Sequence, residues 1–235
     1  MVKKENFKED LDFYRKNINN LKNEISKACN VAGRNCSDVL IIAAAKYADA
    51  LQIKKVMEIG IMDFGENRVG DLLEKYNYIR EEPTWHFIGH LQSRKVKIVI
   101  PIVEYIHSID KISTLGKVNN EASKINKVQK VLVEVNVSGE ESKYGIKPGD
   151  LMDFLSLAKD FINIKLVGLM TVAPFTNDVE LIRKIFRNLK ILLQKSNDNF
   201  KDIMLTELSM GMSNDYKIAI EEGATMIRIG SFIFK

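Results

Sequence analysis

The chain has 235 residues, 46% of them hydrophobic, enough for a sizeable core in one large α/β domain or two small ones, of which one is preferred. Its 35 basic and 31 acidic residues leave a net charge of +4 dispersed along the chain, too weak and too mixed for a nucleic-acid partner. The apolar stretches are strand-sized, Met1 to Asn6 lacks the apolar region of a signal peptide, and Cys29 and Cys36 make neither a disulfide framework nor a zinc site, so a cytoplasmic protein without a membrane span is expected.

Residues 1–32 carry Phe7, Leu11, Tyr14, Ile18, Leu21, Ile25 and Ala28 at three- and four-residue spacing, one apolar stripe of a helix that ends before Gly33. Its lysines are balanced by Glu5, Glu9, Asp10, Asp12 and Glu24, so the stripe is expected to dock on its own domain rather than on a membrane surface. Beyond it β-rich runs alternate with helical patterns. Strands are predicted over 39–46, 62–66, 85–90, 105–110, 131–137, 166–172, 205–210 and 226–229. Helices are predicted over 51–59, 69–79, from 94, through Leu115 and Ala122, and over 151–159, 179–193 and 216–222. The basic spot Ser93-Arg94-Lys95-Val96-Lys97 reads as solvated first turns of a helix. Alternation throughout argues a parallel sheet. Eight units at this length predict a single-domain (β/α)8 TIM barrel with an additional N-terminal helix, the one domain covering 1–235. No Gly-x-Gly-x-x-Gly or Walker sequence is present, which disfavours an open dinucleotide or P-loop fold.

In such a barrel functional groups belong at the C-terminal strand ends, and the polar residues of this chain collect there. Lys46 closes the apolar run that begins at Val39 and either keeps its charge in water or acts as an amine nucleophile towards an aldehyde. Taken alone, the pattern favours the solvated amine. Ser209-Met210-Gly211-Met212-Ser213 joins a strand to a helix, so Ser213 caps that helix or helps bind an anion at its N-terminus. Gly230-Ser231, at the neighbouring strand end, adds a second flexible donor pair, and together the two segments suit phosphate. A lysine and a phosphate site on one rim point to pyridoxal 5′-phosphate or to a sugar-phosphate aldolase. Arg228 bears on the choice: a guanidinium beside a pyridine nitrogen would keep that nitrogen unprotonated and weaken the ring as an electron sink. The alternative for Arg228 is an ion pair with Glu66 or Glu207.

Several segments carry a more specific signal. Phe64-Gly65-Glu66-Asn67-Arg68-Val69, Trp85-His86-Phe87-Ile88-Gly89-His90-Leu91-Gln92-Ser93-Arg94-Lys95, Val135-Asn136-Val137-Ser138-Gly139-Glu140-Glu141-Ser142-Lys143-Tyr144-Gly145, Gly168-Leu169-Met170-Thr171, Leu208-Ser209-Met210-Gly211-Met212-Ser213 and Ile227-Arg228-Ile229-Gly230 closely resemble the pyridoxal phosphate homeostasis proteins, single-domain relatives of the alanine racemase N-terminal barrel. The resemblance runs from the N-terminal helix to the last strand. It implies pyridoxal phosphate held as an imine on Lys46, with Ser209, Gly211, Ser213, Gly230 and Ser231 around the phosphate. It further implies Arg228 at the ring nitrogen, Asn67 near the cofactor, and Met170 and His90 lining the site. The implied role is intracellular homeostasis and delivery of the cofactor to apo-enzymes, with no catalytic residue and no established turnover. A monomer is expected.

The chain departs from the family pattern in places. Ala45 and Tyr47 flank Lys46 where serine and threonine are common, so the hydroxyl contacts there change, although Tyr47 can still donate one hydrogen bond. Gly70-Asp71 replace glutamine and glutamate, and the chain stops at Lys235, short of the usual basic-aromatic tail, from which a modest loss of C-terminal packing is expected. The enzymatic alternative is a pyridoxal phosphate-dependent amino-acid racemase. Two-base racemisation needs a second acid/base, which alanine racemases draw from a partner's C-terminal β-domain; Tyr47, Tyr144 or His90 would have to replace it. The motifs argue against the aldolase. His86, His90 and His107 lack a carboxylate-histidine cluster, so no metal is expected and His86 reads as structural.

Overall fold

Apolar runs of strand length followed by amphipathic stretches leave one economical way to cover both faces of a sheet, namely parallel pairing with helices outside. The computed structural model describes residues 2–80 and 83–235, with side chains from residue 11 onward, so the expected contribution of Phe7, Glu5, Glu9 and Asp10 lies outside the described side chains. Among the described residues eight strands form a closed parallel barrel in chain order: β1 (Leu40–Ala44), β2 (Asp63–Glu66), β3 (Thr84–Phe87), β4 (Tyr105–Ile109), β5 (Gln129–Glu134), β6 (Ile164–Met170), β7 (Glu207–Met212) and β8 (Met226–Ile229). β8 closes on β1, with Ala43 opposite Ile229.

The helices are α1 (Val2–Ala32), α2 (Ala50–Glu58), α3 (Val69–Ile79), α4 (Val96–Val99), α5 (Ile112–Ser123), α6 (Leu151–Ala158), α7 (Val179–Asn199), α8 (Tyr216–Glu221) and α9 (Ser231–Phe234). Local signals set their ends. Asp49 and Gln52 form a reciprocal capping box at the start of α2, and Asp178 accepts from Leu181 N at the start of α7, each cap contributing about 1 kcal/mol. The α1 stripe is buried as expected through Tyr14, Ile18, Leu21, Ile25 and Ala28, and α1 packs on α2, α8 and α9. At roughly 1.5–3 kcal/mol for each fully buried large apolar side chain, this stripe is a substantial part of the fold's stability. At the C-terminus Ile233 is fully buried, its carbonyl accepts from Asn17 Nδ2 at 3.2 Å, and Phe234 lies edge-on to Tyr14.

Most strand boundaries differ from the sequence reading by one to three residues; β3, for example, ends at Phe87, not His90. β1 ends at Ala44, not Lys46, because Ala45 N still bonds Gly65 O at 2.9 Å and the chain then turns. β5 ends at Glu134, and Asn136 N turns away to Ile146 O. β7 starts at Glu207 and runs on to Met212, two residues beyond the predicted end, which sets Ser209 in mid-strand. Gly211, at φ +94°, carries the irregularity that shifts the β7–β8 register between Ser209 and Met212, and a Cβ there would lie 2.6 Å from Ala219 Cβ. The predicted helix from Arg94 is a single 3-10 turn, Ser93–Lys95, followed by α4, and α9 was not anticipated.

Period-two alternation sorts each strand into outward residues packed under the helices and inward residues filling the lumen. The lumen is divided. Ile42, Leu132, Val167, Met170 and Met226 form a small apolar cluster separate from the main core. His86, His107, Ser209 and Arg228 are also fully or nearly fully buried and are joined by hydrogen bonds, with Tyr105 packed against both groups.

Candidate functional site

The strand ends open into a cavity of about 480 Å³ at the C-terminal mouth of the barrel. Lys46, Asn67, Ser213, Arg228, Gly230 and Ser231, all singled out in the sequence, line it together. Lys46 stands exposed at the mouth with Nζ 4.5 Å from the centre of the Tyr47 ring. By hydrogen bonding and by charge, the Lys46 amine holds the Tyr47 hydroxyl below its ordinary pKa. Ala44, Tyr47, Ile88, Val172, Met212, Asn214, Phe234 and Lys235 complete the lining. Of these, Tyr47 was weighed in the sequence; Phe234 and Lys235 arrive through α9, whose four residues are too short for a periodic signal.

A buried ion pair fixes the walls on either side of Lys46. Glu66, the last residue of β2, accepts from Lys75 Nζ of α3, and the same ammonium donates to Ala45 O at 2.7 Å, the carbonyl next to Lys46. The second Glu66 oxygen accepts from Asn67 N at 3.2 Å. Burial pushes the Glu66 carboxyl above its ordinary value, and Lys75 opposes that shift. Gly89 lets the chain after β3 approach this corner, since a Cβ there would sit 2.2 Å from Asn67 O.

The floor is set by Arg228, an inward residue of β8. Its Nη1 donates to Ser209 Oγ at 2.6 Å and its Nη2 to Thr171 O at 2.9 Å. Neither Glu66, paired with Lys75, nor Glu207, which accepts from Thr225 Oγ1, bonds it. Burial lowers Arg228 to about 10, with Asp215 and Glu134 opposing, so it remains a cation at neutral pH. On the rim, Asp215 accepts from Met212 N at 2.5 Å and Ser213 Oγ accepts from Gly230 N at 3.3 Å, which ties the β7–α8 turn to the β8–α9 turn.

Four expected residues lie off the cavity lining. Ser209 sits one layer below, its hydroxyl engaged by Arg228 and His107. Gly211 is buried in β7, and Met170 belongs to the small apolar cluster with Ile42, Leu132, Val167 and Met226. His90 stacks on Tyr144 with ring centres 4.0 Å apart, its Nδ1 3.8 Å from Asp110 Oδ2 and without a hydrogen-bond partner among the described residues. A second cavity of about 200 Å³ adjoins there, sharing Val172 with the first and lined by Glu134, Lys143 and Tyr144. Glu134, the inward residue ending β5, has no side-chain hydrogen bond among the described residues. Burial raises it to about 7, the Asp110 charge adds to the rise, and Arg228 opposes it. Sequence reasoning missed Glu134, His107 and Lys75. The first two could have been found from their inward parity on short strands; Lys75 carries no such sign. Among the described residues no His, Cys, Asp and Glu group is arranged to hold a metal ion, and no helix is long and apolar enough to cross a membrane.

Comparison with known proteins adds to this geometry. The family model of the alanine racemase N-terminal domain matches residues 10–235. A pyridoxal phosphate homeostasis protein of Aquifex aeolicus is 40% identical over 89% of this chain and 92% of its own length. A solved structure of an unknown protein from Bifidobacterium adolescentis superposes with a TM-score of 0.90 at 30% identity, covering 96% of both chains. The PLP-bound structure of PipY from Synechococcus elongatus superposes with a TM-score of 0.80 at 27% identity, over 90% of this chain and all of that one.

Proposed function

The chain belongs to the pyridoxal phosphate homeostasis protein family, and from that premise we propose that its barrel-mouth cavity holds pyridoxal 5′-phosphate for delivery rather than for turnover. The observation that carries this reading is that one cavity gathers an amine, a guanidinium with spare donors and a tied pair of serine and glycine turns. Lys46 Nζ would bond the aldehyde carbon as an imine, with loss of water. Ser213, Gly230 and Ser231 would hold the phosphate, helped by first-turn N–H groups of α9 that have no helical acceptor. Asn67 would flank the ring. Met170, Ser209 and Gly211 would support the site from below, and His90 from the adjoining cavity.

The bound cofactor supplies a reversible carbonyl and, where its ring is protonated, an electron sink. Arg228 bears on the second property. Still cationic at neutral pH, it can only donate to a ring nitrogen, which favours an unprotonated ring and a poor sink. The titratable side chains lining the cavity are those of Lys46, Tyr47, Arg228 and Lys235, a predominantly cationic set that suits an anionic ligand and includes no Asp or Glu. A monomeric cytoplasmic carrier that yields its cofactor to apo-enzymes follows from this reading.

The test is reconstitution with pyridoxal phosphate. A visible band is expected, fixed by borohydride as a pyridoxyl group on Lys46 in peptide mass spectrometry and lost in Lys46→Ala. No band, or modification confined to other lysines, would overturn the assignment.

A further inference from the structure

An unbroken line of hydrogen bonds crosses the lumen beneath the cavity. Arg228 Nη1 donates to Ser209 Oγ at 2.6 Å, Ser209 Oγ lies 2.8 Å from His107 Nδ1, His107 Nε2 lies 2.9 Å from His86 Nδ1, and His86 Nε2 lies 3.0 Å from Asp63 Oδ1. Ser209, His107 and His86 are fully buried, and the His86 ring is stacked on Tyr105. Asp63 is the member that meets solvent. Its side chain, 21% exposed, lines an open cavity of about 510 Å³ at the opposite, N-terminal mouth of the barrel.

The donor and acceptor inventory gives this line a direction. A guanidinium only donates, so Ser209 Oγ accepts and its own proton is free for His107 Nδ1. His107 then carries its proton on Nε2 and passes it towards His86 Nδ1, and His86 Nε2–H donates to the Asp63 carboxylate. Every buried polar atom of the line is satisfied in this arrangement. The reverse polarity needs a protonated Asp63 and leaves the buried Ser209 hydrogen without an acceptor in the line. A charged His86 would also flip His107, so that His107 and Arg228 both donate to Ser209 Oγ. Burial, helped by the Arg228 charge, pushes His107 well below the ordinary imidazole range, so it is neutral.

Resting on the assignment of the upper cavity to pyridoxal phosphate, we propose that Asp63, His86, His107 and Ser209 are positioning residues for Arg228. The carboxylate at one mouth of the barrel polarises the line so that the guanidinium at the other mouth is fixed as a donor towards the ring nitrogen. Ser209 Oγ and Thr171 O hold the guanidinium plane at two points, and the polarity of the chain decides that Ser209 can accept there. None of the four lines the cavity, so they act on the ligand only through Arg228.

Two measurements test this, one of which needs no cofactor. In the apo-protein, ¹⁵N-labelled histidine resonances should show His107 and His86 both neutral and protonated on Nε2. Asp63→Asn, whose amide oxygen still accepts, should keep that pattern; Asp63→Ala should replace it by mixed tautomers. In the reconstituted protein, pyridoxal phosphate labelled with ¹⁵N in the ring should report an unprotonated nitrogen in wild type and Asp63→Asn. That resonance should be displaced in Asp63→Ala and Ser209→Ala, and Ser209→Ala should release the cofactor roughly tenfold faster. A His107 protonated on Nδ1 in wild type, or identical ring-nitrogen spectra in all variants, would overturn the proposal. Should wild type take up no pyridoxal phosphate, the cavity assignment fails, while the histidine spectra still decide whether the line has this direction. Thermal unfolding of each variant separates loss of fold from loss of position.

Discussion

Glu134→Gln should stabilise the apo-protein at alkaline pH and have much less effect in acid. Burial raises the Glu134 carboxyl from an ordinary 4.5 to about 7, with the Asp110 charge adding to it. At about 1.36 kcal/mol per pH unit, a carboxylate that ionises this much later in the folded state costs the fold roughly 3 kcal/mol once both states have lost the proton. The sign follows from proton counts. Below pH 4.5 both states are protonated and the group is neutral to stability. Between 4.5 and 7 the unfolded chain releases a proton that the folded chain keeps, so wild-type stability from this group falls as pH rises, and above 7 the loss is complete. Glutamine has nearly the same shape and no proton to lose, so the variant escapes that loss. Urea unfolding of both proteins at pH 5 and pH 8 should show the difference between them moving by roughly 2 to 3 kcal/mol in the variant's favour. A difference that stays flat across this range, or moves the other way, would refute the burial argument. The same carboxyl bears on the site: half protonated near neutrality, it neutralises little of Arg228's charge on the cavity floor.

Two further substitutions probe the wall beside Lys46. Lys75→Met should strand the fully buried Glu66 carboxylate without its partner, lowering stability by about 3–5 kcal/mol in urea unfolding, and should free the Ala45 carbonyl next to the amine. A loss below about 1 kcal/mol would mean that Glu66 finds water or takes up a proton cheaply. Gly89→Ala places a methyl 2.2 Å from Asn67 O, so the β2–α3 corner must move; the expected result is a clearly lower Tm together with weaker pyridoxal phosphate retention, and unchanged retention would place Asn67 outside the binding contacts.

The barrel was legible because its signals are redundant. Short apolar runs at regular spacing, with helical stripes between them, admit few topologies, and a boundary error of two residues at Lys46 does not change which strand carries it. The mouth of the cavity was legible for a related reason: Lys46, Asn67, Ser213, Arg228, Gly230 and Ser231 sit at strand ends, and strand ends share one rim. The layer beneath was not. The predicted run 205–210 contains Ser209 but ends too early; the strand continues through Gly211 at positive φ to Met212, and the serine is buried against Arg228 and His107 instead of joining Ser213 on the rim. His86 reads as structural in the sequence; it is fully buried, and its bonds to His107 and Asp63 join strands that the linear pattern does not relate. Lys75 looks like any helical lysine, because its targets, the Glu66 carboxylate and the Ala45 carbonyl, lie nine and thirty residues away on strand ends.

The lumen is polar where a packed barrel would ordinarily use branched aliphatic residues, and the pattern of that polarity bears on what the fold can do. A guanidinium buried without an ion pair is expensive, and among the described residues no carboxylate lies within ion-pair distance of Arg228. Two neutral acceptors, Ser209 Oγ and Thr171 O, hold it instead, so its positive charge remains available to the cavity above. A carboxylate in place of Ser209 would have stabilised the empty barrel more and cancelled that charge. The Asp63 carboxylate is in the line, but at its far end, three hydrogen-bonding side chains removed, where it can orient the donors without neutralising the guanidinium. The arrangement thus trades stability of the unliganded fold for a preorganised cationic floor, which favours retention of an anionic ligand over either an inert core or an acid-base pair.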